Sequence, residues 1–338
     1  SLTYEQVKNI SDSALVNLEE DAVKYGLVDR LAYRDEVLEI IKEKLELEEQ
    51  KDINFVSYSK YRKSYKTSNY SKNRVAVIVA SGNIVSGKGE NNNIGSAKYA
   101  KEIKRLSEDE KVKAIVVRIN SGGGSALASD VMWREIKLAA EKKPVIASMS
   151  DYAASGGYYL AMACDTILAQ PNTITGSIGV FSMLFNMKGF LNNKIGITTD
   201  NVKTGHFSDI YSMTKPLSEY EVQYLRKSTQ RSYKAFVSKA AEGRSMNESQ
   251  MESIASGRIW TGDEALENGL IDILGDLDDA IDIAAEKAGV SDDYRIRVYP
   301  IPKAPIEELL ESLSGEYETK ALSKKLGPLH PYLQSLQA

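Results

Sequence analysis

Residues 113–125 read KAIVVRINSGGGS, and this stretch decides the fold. Its first part, Lys113–Ile119, is an apolar run without alternation, the pattern of a strand buried on both faces of a parallel sheet. The run breaks at Asn120 into a glycine-rich turn, and Ser125 opens a long helix predicted to reach Lys142. Strand, turn and helix in that order form the unit of an α/β fold. The same alternation continues on both sides. Arg74–Ala80 (RVAVIVA) is a second buried strand, residues 95–106 a helix, Pro144–Met149 (PVIASM) a third strand. Ser155–Cys164 is predicted to be helical, Thr166–Ala169 to be a strand and Ser177–Phe185 to be another. Residues 218–242 form a long helix opened by Ser218, and YRIRVYPI, near residue 295, reads as a strand before a helical tail.

The chain has 338 residues, room for roughly two domains of about 150 residues. Hydrophobic residues at 42% and charged residues at 27% describe an ordinary globular protein and exclude bulk disorder or collagen. A net charge of −4 argues against non-specific nucleic-acid binding. The basic, tyrosine-rich stretch KYRKSYKTSNYSKN within residues 49–73 reads as a linker. Cys164 is the single cysteine, which excludes an internal disulfide framework and a cysteine-built zinc site. Two histidines, His206 and His330, leave little for a histidine metal centre or a Ser-His-Asp triad. No cofactor or metal is expected. No run of about 18 apolar residues predicts a membrane span, and no signal-peptide pattern is visible.

Ser1–Lys44 and Ser245–Lys287 repeat one another. Ala22, Gly26, Leu27, Asp29, Leu31, Asp35 and Ile40 align with Ala265, Gly269, Leu270, Asp272, Leu274, Asp278 and Ile283. The second copy closes a long module that starts near Arg74. The first copy is therefore expected to be the tail of a preceding module, so that residues 1–48 are that tail and residues 49–73 a linker. Residues 74–290 are then the main module, and residues 291–338 a C-terminal strand and helical tail. Residues 1–48 are predicted to form two helices.

Four glycine-rich turns invite chemistry. Gly82 to Lys88 spells G-x-x-x-x-G-K, but Gly89 stands where a phosphate-binding loop needs Ser or Thr, so a surface loop is expected. In NSGGGS, closely placed N–H groups can hold an anion or oxyanion. In DYAASGGY, Ser155 sits among small residues at a predicted helix start, with the Gly156 N–H beside it. On this motif alone Ser155 reads equally as a nucleophile or as an N-cap. Ser177, in TGSIGV, reads as a hydroxyl that orients a base or as a turn residue.

Four segments in order carry a resemblance: RINSGGGS (118–125), SDYAASGGYYLAMACD (150–165), TITGSIGVF (173–181) and GRIWTGDEALENGLID (257–272). Here the chain resembles the signal peptide peptidase A family, also called protease IV, in its long form with two modules per chain. The resemblance implies a ClpP/crotonase-like spiral of β-β-α units and a serine endopeptidase that works by a Ser–Lys dyad on remnant signal peptides. It implies that Ser155 is the nucleophile, that the N–H groups of Gly123 and Gly156 form the oxyanion hole, and that Ser177 holds the lysine. It further implies a homo-oligomer, a tetramer, bound to the bacterial inner membrane on its periplasmic side by an upstream anchor. Two departures stand out. Gly122 replaces the proline of the family's S-P-G-G turn, and Ser208 occupies the lysine position in Gly205-His206-Phe207-Ser208. The general base is thus expected from the preceding module, with no lysine for it in this chain; His206 and Lys203 are substitutes nearby in sequence. A non-catalytic peptide-binding or assembly half is one alternative. A crotonase-type acyl-CoA enzyme is another, though Asp151 is the only acid beside Ser155.

Overall fold

A computed structural model describes residues 2–48, 51–64, 71–89 and 93–300. The chain divides into two compact units, Ser1–Ser68 and Asn69–Ala338.

The second unit is built on a sheet whose two faces are both buried. Strands β1 (Arg74–Ser81), β4 (Val112–Ser121), β5 (Val145–Ala154) and β6 (Thr166–Ala169) lie side by side in parallel, with β9 (Ile273–Leu274) beyond β6 and β10 (Arg295–Tyr299) beside β1. Short strands β2 (Asn83–Val85) and β3 (Asn93–Gly95) form a separate parallel pair. β7 (Ile174–Gly176) runs parallel to the end of β5 and antiparallel to β8 (Ile259–Trp260). Alternation along β1 shows why the apolar runs are continuous. Ala76, Ile78 and Ala80 enter one core with Met132, Ile136, Tyr158 and Phe236, while Val75 and Val77 enter another with Ile146, Leu168, Ile281 and Ala284. Helices therefore cover both faces, as parallel strands require. This is the α/β architecture expected from the sequence.

β5 positions the site. Its first half pairs with β6 through Ile146–Ser148, and its second half pairs with β7 through Tyr152–Ala154. The strand thus runs to Ala154 rather than stopping at Met149, because β7 supplies hydrogen-bond partners for the extra residues. The expected strand Ser177–Phe185 is misplaced. The strand is Ile174–Gly176, and Ser177, at φ 47°, turns the chain out of the ladder. The helix after β5 is Gly156–Ala161, shorter than Ser155–Cys164, since Ser155 is not helical. β10 pairs along β1, so no structural boundary falls at residue 291; the expected helical tail lies outside the described residues.

The repeat carries through to the elements. Helices α1 (Tyr4–Asp12), α2 (Glu19–Lys24) and α3 (Arg34–Lys44) make up residues 4–44, three helices where two were expected. They match α10 (Glu248–Ile254), α11 (Gly262–Glu267) and α12 (Leu277–Lys287), the numbering running through α4 (Tyr58–Ser64), α5 (Ser96–Glu108), α6 (Ala126–Ala140), α7 (Gly156–Ala161), α8 (Lys188–Phe190) and α9 (Glu219–Gly243). Each helix of the repeat starts with the same back-reaching cap, in which a side chain at the third helical position accepts the N-cap N–H. Thr3 donates to Gln6 as Asn247 does to Gln250. Leu18 donates to Asp21 as Thr261 does to Glu264, and Tyr33 to Glu36 as Asp276 does to Asp279. The extra helix has a physical origin: Asp21 accepts from both Asn17 and Leu18 and starts α2 there. In the second copy Met251, Ala265, Ile281 and Ala284 are buried, whereas α1, α2 and α3 bury no residue. α4 lies inside the stretch read as a linker.

Candidate active site

Ser155 stands at the junction of β5 and α7 with φ 52° and ψ −116°. These are the angles of the first central residue of a type II′ turn, a glycine position. A serine held there costs on the order of 1–3 kcal/mol, strain that persists only where the surroundings enforce it. Two backbone bonds do so. The Ser155 N–H donates to Gly176 O at 2.9 Å, and the Ser155 carbonyl accepts from the Tyr159 N–H at 2.9 Å. An N-cap serine would bond an amide of the first helical turn. The Ser155 hydroxyl makes no such bond, so the capping alternative falls. The strained turn instead presents a partly exposed hydroxyl.

The NSGGGS turn lies directly against this junction. A Cβ on Gly123 would fall 2.6 Å from the Gly156 nitrogen and 2.9 Å from Ser155 Cβ. Only glycine permits that approach. The two glycines expected as oxyanion donors are therefore neighbours of each other and of Ser155. Their N–H groups are not equivalent, however. The Gly123 N–H is already engaged, donating to Ser121 Oγ at 3.1 Å, and Ser121 Oγ donates to Gly82 O at 2.7 Å. Among the described residues the neighbouring Gly124 N–H has no hydrogen-bond partner. Its parallel bridge to Ile84 uses the Gly123 carbonyl and the Ser125 N–H, at 2.9 Å each, which leaves the Gly124 N–H directed away from β2. The Gly123 N–H expected as an oxyanion donor thus bonds a serine hydroxyl in this structure, while the Gly124 and Gly156 N–H groups have no partner among the described residues.

Ser177 is brought to the same place. Ala154 pairs with Gly176, so Ser155 and Ser177 leave adjacent parallel strands side by side. Ser177 also has a positive φ, and its N–H donates to Arg258 O at 2.7 Å. Arg118 braces the middle of β5, where its pairing passes from β6 to β7. Its guanidinium donates to Ser148 Oγ and Met149 O at 2.8 Å and to Ser150 Oγ at 3.1 Å. Burial lowers its pKa, with Asp151 and Asp276 opposing. Ser121, Gly124 and Arg118 were not singled out from the sequence. An arginine and a serine inside an otherwise apolar strand were the available signal.

The substitutes for the base are not joined to Ser155. The Lys203 ammonium sits 2.8 Å from Asp209, whose carboxylate also takes Lys215 at 2.9 Å. His206 packs edge-on against Phe207 and is exposed, and Ser208 Oγ donates to Gly205 O at 2.9 Å. No hydrogen bond or ion pair among the described residues connects Lys203, His206 or Ser208 to Ser155.

Residues 137–291, which include Ser155, Gly156 and Ser177, match the model of peptidase family S49. A putative protease of Synechocystis is 34% identical over 264 residues, covering 78% of this chain and 90% of that protein. The chain belongs to peptidase family S49. This places it among the serine-type peptidases. It is also similar to the chloroplastic serine protease SPPA of Arabidopsis thaliana, at 40% identity over 92% of this chain and 47% of that protein. Protease 4 of Salmonella typhi is 37% identical over 89% of this chain and 49% of its own length. The chain spans about half the length of these two relatives.

Proposed function

We propose that this chain is the serine-bearing half of an endopeptidase that cuts extended apolar peptides, remnant signal peptides among them, by a Ser–Lys dyad. The observation that carries the reading is Ser155, an uncapped serine forced into a glycine conformation next to Gly156 and packed against the Gly123 turn. In the proposed reaction Ser155 Oγ attacks the scissile carbonyl carbon while a neutral lysine takes its proton. The oxygen of the tetrahedral intermediate is received by the Gly156 N–H and by the Gly123 N–H, the latter released from Ser121, with the N-terminal end of α7 behind them. The C–N bond breaks, the lysine returns the proton to the leaving amine, and water then hydrolyses the acyl-serine ester. Ser177, beside Ser155, orients the lysine.

The lysine comes from another module. A serine hydroxyl needs a base, and a lysine serves only when its pKa is brought near neutrality. Lys203 is committed to the Asp209 carboxylate. The matched caps of α1–α3 and α10–α12 support the reading of residues 1–48 as the closing helices of a module like residues 74–290. Assembly as a homotetramer, and a place on the periplasmic face of the bacterial inner membrane, belong to the same proposal and rest on family resemblance. Among the described residues no helix is long and apolar enough to cross a membrane.

Hydrolysis of a fluorogenic apolar peptide tests the split dyad. The chain alone is expected to be inactive, and the chain joined upstream to a lysine-bearing module active. Activity of the chain alone that is lost in Lys203→Ala or His206→Ala would place the base within these residues.

A further inference from the structure

On the far side of β1 from the site, the face of β1 and β10 that meets α5 gathers positive charge. Arg74 and Arg295 are in register on adjacent parallel strands, and Arg297 follows on the same face of β10. From α5, Lys98 and Arg105 face the same depression, a pocket of about 560 Å³ floored by Tyr299. Its lining holds Arg74, Lys98, Arg105 and Arg297 against one carboxylate, Glu102. That carboxylate is used up, since Arg105 grips it with two bonds of 2.7 and 3.1 Å while its guanidinium lies 5.3 Å from the centre of the Tyr299 ring. Arg74 reaches Asp109 only at 3.4 Å. Among the described residues Lys98, Arg295 and Arg297 form no ion pair. The Nε atoms of Arg74 and Arg295 are buried without a hydrogen-bond partner.

This arrangement is unfavourable as it stands. Like charges gathered on one face repel, and a buried donor without an acceptor costs about 1–3 kcal/mol in general. An anion in the pocket would offset the repulsion and give the guanidinium groups that line it an acceptor. Its chemistry follows from the donors. A carboxylate has two oxygens, which one guanidinium fork satisfies. A phosphate presents more oxygens in a tetrahedron and can accept from several cations approaching from different sides.

We propose that this pocket is a phosphate-binding site, taking a phosphate group either free and on a small soluble ester or as the headgroup of an anionic lipid. It is separate from the serine site and does not depend on the peptidase reading.

The test uses the full chain. Inorganic phosphate at fixed ionic strength, with chloride as the control, is expected to raise the melting temperature saturably. The exposed double substitution Lys98→Gln/Arg297→Gln should weaken that response by about tenfold, the loss expected from two charge-assisted bonds. Sedimentation with phosphatidylglycerol vesicles, against phosphatidylcholine vesicles, separates the sources. Pelleting that phosphate competes away identifies a lipid headgroup, and phosphate binding without pelleting identifies a soluble ligand. Phosphate acting no better than chloride, or an undiminished response in the double variant, overturns the site. Glu307, Glu308 and Glu311 follow shortly after this pocket in the sequence. Phosphate binding that appears only after all three are changed to Gln also overturns it, because the chain's own carboxylates would then be the occupants.

Discussion

At the scale of single residues, the site is a matter of backbone angles and close approach. Ser155 holds φ 52° because β7 and α7 fix its amide and its carbonyl. Glycine adopts those angles freely. Ser155→Gly is therefore expected to stabilise the fold by about 1 kcal/mol while abolishing the peptidase activity of the chain joined to its lysine-bearing module, a combination that denaturant unfolding and a peptide assay read together. A drop in stability would show that the turn is not strained. Ser121 acts through the glycine turn. Its hydroxyl joins Gly82 O to the Gly123 N–H, and its residue is almost fully buried. Ser121→Ala should cost about 1–3 kcal/mol of stability. In the active assembly it should lower kcat with little change in KM, and Ser121→Thr should restore both. The sequence pointed to Ser155, Gly156 and Ser177, because small residues flanking a lone hydroxyl are visible in one dimension. Which glycine N–H is free was not visible. It depends on a hydroxyl donating across to Gly82, far away in the chain.

Elements show where local patterns suffice and where they do not. β1, β4 and β6 were legible because a strand buried on both faces needs an unbroken apolar run, and little else in a soluble chain does. β7 was missed by a few residues, since the apolar side chains after Ser177 imitate a strand. Phe181, Met183 and Phe185 are in fact exposed, on a stretch without regular structure. Ion pairs tie the segment after them down. Lys203 first and then Lys215 hold the Asp209 carboxyl down at about 2, and Lys215, then Ser218, hold Glu221 at about 2. Both carboxyls lie below their ordinary values of 3.8 and 4.5, so their contribution to the folded segment is complete above about pH 4.5 and fades as pH falls toward 2. Hydrogen exchange across residues 203–221 should accelerate through that window before the core opens, and Asp209→Asn should shrink the effect. Exchange independent of pH between 5 and 2, after correction for intrinsic rates, would contradict the network.

For the whole molecule, the repeat is the informative feature. The G-L-x-D pattern suggested duplication from sequence, and the structure adds three pairs of helices with the same caps. What sequence could not show is that equal patterns meet unequal surroundings. Ile281 of α12 is buried against Val75, Val116 and Leu168, while Leu38, at the matching place in α3, is not buried. Ile281→Ala should therefore cost about 2–5 kcal/mol, and Leu38→Ala under about 1 kcal/mol. Equal costs, measured by denaturant unfolding, would mean that the α1–α3 face is covered in solution.

The most direct test of the central claim is the rate of apolar-peptide hydrolysis by the chain joined to its lysine-bearing module, with and without Ser155→Ala. Loss of the nucleophile predicts a fall in kcat of about 10⁴-fold or more, with the fold unchanged by circular dichroism. Turnover that survives Ser155→Ala would remove Ser155 from the chemistry and leave the strained turn without the function assigned to it.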